Sequence, residues 1–339
     1  MVSAITNTWL QFLFCVVVIG FAGVKLSRYG DVLAEKTGMG GTWVGLVLLS
    51  TVTSLPELIT GISSVTIAKV PEIAVGDALG SCVFNLLIIV VVDFLHRKES
   101  VYTRAHQGHI LSAGFGIVLI GLVGVNIFLA QHGTRLAFFH VGLYTPILML
   151  LYLLAMRTVF RYEQERMAAY AEESLKRYPK VTLQKALLRY AGAAVVVVAA
   201  AAWLPFVGST LAEQMGWHKS FVGTLFVAFA TSVPELVVTI AAVRIGALDM
   251  ALANLFGSNL VDMLVIAIDD TLYLDGPLLA AVAPIHAVTA ISAMIMTGTA
   301  IIGILYRPPG RVLRTVGWVS LFLLVVYLAN SYALYLHGD

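Results

Sequence analysis

Charge is what this 339-residue sequence has least of: Asp, Glu, Lys and Arg together make up 12%, about half of what soluble domains carry. With 59% hydrophobic residues and a mean hydropathy of +0.91, that scarcity excludes a water-soluble globular chain and a long disordered segment. A net charge of only +2 gives no basic surface for nucleic acid, so no nucleic-acid partner is expected, and nothing implies an obligate protein partner. Cysteine is nearly missing too. Cys15 and Cys82 lie far apart inside apolar stretches, which excludes a disulfide framework and leaves them as small core residues.

What the sequence has is apolar runs of about 20 residues, the length that crosses a bilayer, and these can be placed ten times. They fall at 9–24, 42–67, 72–94, 110–130, 136–156, 187–207, 220–243, 248–268, 277–305 and 313–336. The fold class expected is an all-α polytopic membrane protein in contact with the lipid bilayer. The first run is expected to stay as a transmembrane helix rather than a cleaved signal peptide, because its positive charges, Lys25 and Arg28, follow it. Basic residues collect in cytoplasmic loops. With the N-terminus outside, every Lys and Arg except Lys69, Arg135 and Lys219 falls on the inner side. Both termini are therefore expected outside a prokaryotic-type cell (inner) membrane.

The chain is also written twice. Thr53-Ser54-Leu55-Pro56-Glu57 returns as Thr231-Ser232-Val233-Pro234-Glu235, and Gly30–Gly45 aligns with Gly208–Gly223 at the same offset of 178. Gly80-Ser81-Cys82-Val83-Phe84-Asn85 pairs with Gly257-Ser258-Asn259-Leu260-Val261-Asp262 at an offset of 177. Five spans per half is an odd number, so the second half enters the membrane from the opposite side. The expectation is ten transmembrane helices in two inverted five-helix repeats, as in many secondary transporters. The first repeat covers 1–156, with the doubled motifs in a core at about 43–94. The second covers 187–339, with the matching core at about 221–269. A charged linker at 157–186, cytoplasmic, partly helical and without a calcium-loop pattern, joins them.

The chemistry sits in the doubled segments. Proline has no N–H and clashes with the carbonyl four residues back, so each TSxPE opens its helix near Val52 and Ala230. Thr53 and Glu57, like Thr231 and Glu235, are four residues apart and share a helical face beside that opening. Ser81 with Asn85, and Ser258 with Asp262, repeat the logic on the next helix. Every one of these side chains offers oxygen; sulfur and imidazole are missing, which selects hard cations over zinc, copper or iron. Glu57, Glu235 and Asp262 are acids with no Lys or Arg in any span core to pair with, so they need cations or protons. Gly76 and Gly80, with Ala253 and Gly257 at the matching places, form small-xxx-small patterns that let helices approach closely.

Three further groups stand out. Asp77, four residues before Ser81 where the second repeat has Asn254, is an accessory acid of the site or an acid near its outer mouth. Asp93 and Asp270 match across the repeats but lie near span ends, where a solvated boundary is the expectation. His140 and His286 stand alone in spans and are expected to be hydrogen-bonded core groups, with a proton-linked role open for His286.

TSLPE with GSCVFN, and TSVPE with GSNLVD, closely resemble the paired alpha-repeats of the cation/calcium antiporter superfamily, in its sodium/calcium exchanger branch rather than among cation/proton exchangers. The resemblance covers both repeats. It implies alternating-access exchange of Ca²⁺ for Na⁺, with no cofactor and inorganic cations as the partners. The cation ligands it implies are Thr53, Ser54, Glu57, Ser81, Asn85, Thr231, Ser232, Glu235, Ser258 and Asp262. Of these, Glu57, Glu235, Asn85 and Asp262 are the metal set, and the Ser50 and Ala228 carbonyls complete the sodium sites. Val52 and Ala230 stand where the family usually has glycine, Cys82 where it has asparagine, and Asp77 where a neutral residue is usual. The nearest alternative is a calcium (cation)/proton antiporter with H⁺ on the same glutamates. An intramembrane protease, invited by Gly76-Asp77 and buried serines, lacks a GxSG serine context, and no catalytic residue is expected.

Overall fold

The computed structural model describes residues 2–36, 50–96, 100–133, 136–173, 181–244, 246–307, 311–312 and 316–338. Among them helices dominate. In chain order they are α1 (Val2–Lys36), α2 (Leu55–Ser63, continued as a π-helical turn Ser64–Ala68), α3 (Pro71–Leu95) and α4 (Gly108–Gln131). A short hairpin of β1 (Ala137–Phe138) and β2 (Val141–Gly142) leads into α5 (Tyr144–Glu173). The second half has α6 (Leu183–Met215), a broken stretch over Lys219–Thr231, α7 (Val233–Arg244), α8 (Leu248–Leu272) and α9 (Ile285–Tyr306). A second hairpin of β3 (Arg311–Val312) and β4 (Val316–Gly317) then leads into α10 (Trp318–His337).

Among the described residues seven helices are long and apolar enough to cross a membrane: α1, α3, α4, α6, α8, α9 and α10. An eighth span arises if Lys219–Thr231 and α7, bent by 46°, are taken together. The ten expected runs differ from this for identifiable reasons. Residues 42–49 of the second run lie outside the described residues, leaving Leu55–Ala68 as a shorter apolar helix. The run at 136–156 starts as a hairpin, and α5 carries on into the charged segment as far as Glu173; residues 174–180 of the linker lie outside the described residues. The run at 220–243 is interrupted at Ser232, where proline at 234 removes a helical N–H.

The polarity is that of a protein in lipid. Leu10, Leu13, Phe14, Val17 and Phe21 recur every three or four residues along α1 and are all more than half exposed, whereas Thr53, Glu57, Asp77, Asn85, Glu235 and Asp262 are buried. Helices keep their own backbone bonds, so apolar side chains can face hydrocarbon while polar ones gather inside. α1 packs along α6, α3 crosses α8, and α4 lies against α9. The expected close approaches are present. A Cβ on Gly80 would lie 2.4 Å from the Thr224 carbonyl oxygen, one on Gly76 3.1 Å from the Thr224 nitrogen, and one on Gly257 2.5 Å from Ser50 Oγ.

The duplication governs packing as well as sequence. Glu72, in the first turn of α3, accepts from the Ala283 N–H at 2.8 Å and bonds His286 Nε2 at 2.7 Å. Asp249, in the first turn of α8, accepts from the His106 N–H at 2.9 Å and bonds His109 Nε2 at 3.0 Å. All three pairs of positions differ by 177. Asp93 and Asp270 follow the same rule and correct the expectation of a solvated boundary, since both are 0% exposed. Asp93 accepts from the N–H groups of Val101 and Gly317 and from Ser320 Oγ. Asp270 accepts from the N–H groups of Leu278 and Gly142 and from the Tyr144 and Thr145 hydroxyls. Each carboxylate thus ties the end of one core helix to a neighbouring loop and to the hairpin that precedes α5 or α10.

Candidate cation site

The two TSxPE segments are where the helices break. Ser54 (φ −83°, ψ 12°) and Ser232 (φ −84°, ψ 7°) adopt the same bridge-region backbone, and α2 and α7 restart immediately after them with Pro56 and Pro234 in the first turn. Proline cannot donate, so no helical N–H is available to the carbonyls of Val52 and Ala230. α1 closes on this point: a Cβ on Gly23 would lie 2.5 Å from Pro234 Cγ and one on Gly20 2.7 Å from Val233 Cγ1. Glycine is required there because the chains touch.

All the side chains expected at the site are buried and converge from α2, α3, α7, α8 and the turns before α2 and α7. Their bonds to other side chains cross from one repeat to the other, except that of Ser258 to Glu235, which stays within the second. Ser54 Oγ donates to Glu235 Oε1 at 3.4 Å, and Ser232 Oγ donates to Glu57 Oε1 at 3.2 Å. Ser81 Oγ is 3.0 Å from Ser232 Oγ, and Ser258 Oγ donates to Glu235 Oε1 at 3.5 Å. Thr231 Oγ1 donates to Asp77 Oδ1 at 2.9 Å, and Thr53 Oγ1 to Asn254 Oδ1 at 3.5 Å, so Asp77 and Asn254 hold equivalent places. Asn85 Nδ2 donates to Asn259 Oδ1 at 3.0 Å.

These bonds leave oxygens over. Glu57 Oε2, Asp77 Oδ2, Asn85 Oδ1, Glu235 Oε2 and Asp262 Oδ1 are buried without a hydrogen-bond partner. The ion pairs recorded among the described residues use Glu72, Glu213, Asp249 and Asp275, not these acids. A buried carboxylate without a counter-charge costs several kcal/mol, so the arrangement can take up cations, and oxygen ligands favour hard ones. The carbonyls of Ser50 and Ala228 are already engaged. Ser50 O accepts from Ser54 N and Thr53 Oγ1, and Ala228 O from Ser232 N and Thr231 Oγ1. Among the described residues no three carboxylate, imidazole or thiol groups are placed to hold one metal ion by themselves. The acids of the set Glu57, Glu235, Asn85 and Asp262 therefore do not form a closed cage, and hydroxyl and amide oxygens have to contribute.

Several participants carried no strong sequence signal. Asn259 and Cys82, at matching places, face each other across the duplication: Asn259 Nδ2 donates to the Cys82 carbonyl at 3.3 Å, and Cys82 Sγ to Asp262 Oδ2 at 3.7 Å. Cys82 thus touches Asp262, a candidate ligand, in addition to filling core. His140 lies in the turn of the first hairpin and is half-buried, which corrects the expectation of a core group within a span; its Nε2 meets the Thr271 carbonyl at 3.1 Å, whereas the buried His286 has a carboxylate partner in Glu72. The offset of 177, applied to His286, points directly at His109, and that was the available signal.

A model of the sodium/calcium exchanger protein family matches residues 7–164 and 185–333, nearly the whole chain. The chain belongs to that family. Among relatives of this chain, the inner membrane protein YrbG of Escherichia coli (strain K12) is 24% identical over 251 residues, 74% of each chain. The fold of the H⁺/Ca²⁺ exchanger CAX is similar, with a TM-score of 0.67 at 13% identity over 96% of this chain and 88% of that one. So is the fold of the sodium-calcium exchanger NCX_Mj, with a TM-score of 0.58 at 18% identity over 96% and 98%. The chain therefore belongs to an integral membrane family that handles inorganic cations, with a bacterial inner-membrane protein among its relatives.

Proposed function

We propose that this protein is a secondary transporter, not an enzyme, that exchanges Ca²⁺ for Na⁺ by alternating access. Ten spans in two inverted five-helix repeats carry the exchange, with both termini outside. The ions load at mid-membrane among Thr53, Ser54, Glu57, Ser81, Asn85, Thr231, Ser232, Glu235, Ser258 and Asp262. The observation that carries this reading is the crossed pair: each glutamate is held through one oxygen by the serine of the other repeat, while its second oxygen is bare and buried. A cation bridging both glutamates draws the repeats together, and its release loosens them. That is what a two-state carrier requires.

A single divalent ion neutralises two carboxylates, and several monovalent ions can do the same on the same oxygens, so the two loads compete. The counter-ion reading with H⁺ in place of Na⁺ is favoured by one observation. Asp77 adds a buried carboxylate beyond the three acids of the ligand set, with Oδ2 unpartnered. The decisive experiment is Ca²⁺ uptake into proteoliposomes containing the purified chain under an imposed Na⁺ gradient and, separately, an imposed pH gradient. Sodium-driven uptake that is lost in Glu57→Gln and Glu235→Gln is expected. Uptake indifferent to Na⁺ and driven by protons would replace the first reading by the second.

A further inference from the structure

Asp269 lies two turns beyond Asp262 on α8, on the same face and about 10 Å further along the axis. It is 0% exposed, and neither carboxylate oxygen has a hydrogen-bond partner. Gly61 of α2 faces it: a Cβ at Gly61 would lie 2.2 Å from Asp269 Oδ2, so glycine is what admits the carboxylate. Gly61 itself is one turn beyond Glu57. The seam between α2 and α8 therefore continues from the Glu57 and Asp262 level outward to Gly61 and Asp269.

The duplication supplies an internal control. At the offsets already established, Gly61 corresponds to Thr239 and Asp269 to Val92, so the equivalent place in the other repeat has no carboxylate. Asp77, whose counterpart is Asn254, departs from symmetry in the same sense. Both extra acids belong to one end of the molecule. Lys69 Nζ lies 3.9 Å from Asp275 Oδ2, and Glu72 accepts from the Ala283 N–H, which puts the start of α3 and the end of α8 together. The charged groups whose fields reach Asp269 are Asp77 and Asp270, both acidic, and Asp270 is occupied by its own hydrogen bonds.

We propose that Asp269, with Asp77, forms an additional cation-binding station on the route between the central site and the end of the protein where α8 terminates, with no equivalent on the opposite route. It takes the same class of ligand as the central site, a hard cation such as Ca²⁺: Asp269 offers two unpartnered oxygens and Asp77 one, its Oδ1 being held by Thr231, and with no basic group in contact a buried charge there calls for a cation or a proton. The inference rests on the cation-exchange reading above. It adds that the two faces of the transporter meet their ions differently: a cation arriving from the α8 C-terminal face is held at Asp269 before it reaches Glu57 and Glu235.

The test uses the full chain in sided membrane vesicles, with the half-saturation concentration for ⁴⁵Ca²⁺ measured from each face. Asp269→Asn is expected to raise it about tenfold at the α8 C-terminal face, equivalent to ~1.4 kcal/mol, and to leave the other face within about twofold. Gly61→Ala, which displaces the carboxylate, should give the same one-sided defect. Equal values for wild type and Asp269→Asn at both faces, or an equal shift at both, would overturn the station. A readout independent of transport is thermal unfolding of the purified chain. With chelator, Asp269→Asn should melt above wild type, because an uncompensated buried charge is gone, and added Ca²⁺ should raise the wild type's midpoint more than the variant's. Identical Ca²⁺ responses overturn the proposal. A wild type that binds Ca²⁺ with this difference but shows no cation-driven exchange would instead sink the exchange reading.

Discussion

Glu72 and His286 stand 2.7 Å apart, and 177 residues further on and back again Asp249 and His109 make the same contact at 3.0 Å. Each pair fastens the first turn of a central helix, α3 or α8, to the first turn of the helix that packs beside it, α9 or α4. The imidazoles are buried, with His286 at 0% and His109 at 4% exposed, so replacing either leaves a carboxylate short of a partner. His286→Ala should lower stability by about 1–3 kcal/mol, seen as a lower unfolding midpoint of the purified chain, and His109→Ala by less, because the Asp249 side chain is 43% exposed and can turn to water. Glu72→Gln combined with His286→Ala should cost less than the sum of the two changes. Strict additivity would show that the contact contributes nothing.

The crossed serine–glutamate bonds predict a particular pattern of coupling. Ser54 serves Glu235 and Ser232 serves Glu57, although each serine lies three residues from the other glutamate in sequence. Double-mutant cycles on Ca²⁺ uptake should therefore find Ser54→Ala coupled to Glu235→Gln and Ser232→Ala coupled to Glu57→Gln. The within-motif pairs should be close to additive. Each serine change alone should weaken transport by about tenfold, the worth of one hydrogen bond to a charged group. Coupling confined to the within-motif pairs would contradict the crossed arrangement.

Asp93 and Asp270 repeat at matching positions, as Glu57 and Glu235 do, but are spent on structure. Asp93→Asn and Asp270→Asn each turn an acceptor of several buried N–H and O–H groups into a partial donor. Expected are losses of about 2–4 kcal/mol, from the cost of leaving such groups unsatisfied. Folded yield and unfolding midpoint should fall, while the Na⁺ dependence of whatever protein remains folded stays as in wild type. A changed ion preference at unchanged stability would move these acids into the transport machinery.

How far the sequence revealed all this differs from element to element. α3 was legible to within a residue at each end, and α8 at its start, because long apolar runs begin at Pro71 and Leu248 and carry the GS-containing motifs; the expected run of α8 stops at 268, however, because the acids Asp269 and Asp270 end the apolar pattern while the helix continues to Leu272. The runs around 136–156 and 313–336 were placed in the right region but started too early. Hydropathy cannot tell a two-residue hairpin of apolar side chains, Ala137–Gly142, from the first turn of a helix. The candidate acids were visible because a carboxylate within an apolar run is costly; the duplication repeated Glu57 as Glu235, whereas Asp262 and Asp77 have Asn85 and Asn254 at the matching places. Asp269 was hidden by its neighbour Asp270, which matches Asp93, and its significance lies in a contact with Gly61 more than two hundred residues away. Periodicity carries no information about that distance.

Gly80 is where the close approach of the two repeats can be tested most directly. α3 passes so near the chain before α7 that a Cβ on Gly80 would stand 2.4 Å from the Thr224 carbonyl oxygen and 2.7 Å from both Thr224 Cα and Ala228 Cβ. Two of these three atoms are backbone and cannot swing aside, so α3 has to move as a whole. That motion would carry Ser81 away from Ser232, which lies 3.0 Å off, one residue beyond the glycine. Gly80→Ala should therefore abolish Ca²⁺ uptake or prevent accumulation of folded protein. Gly257→Ala, whose nearest obstacle at 2.5 Å is the Ser50 hydroxyl, should retain measurable uptake, because a side chain can rotate where a backbone cannot. Equal activity in the two variants would mean that α3 and the Thr224 segment are not held at this distance in the transporting protein.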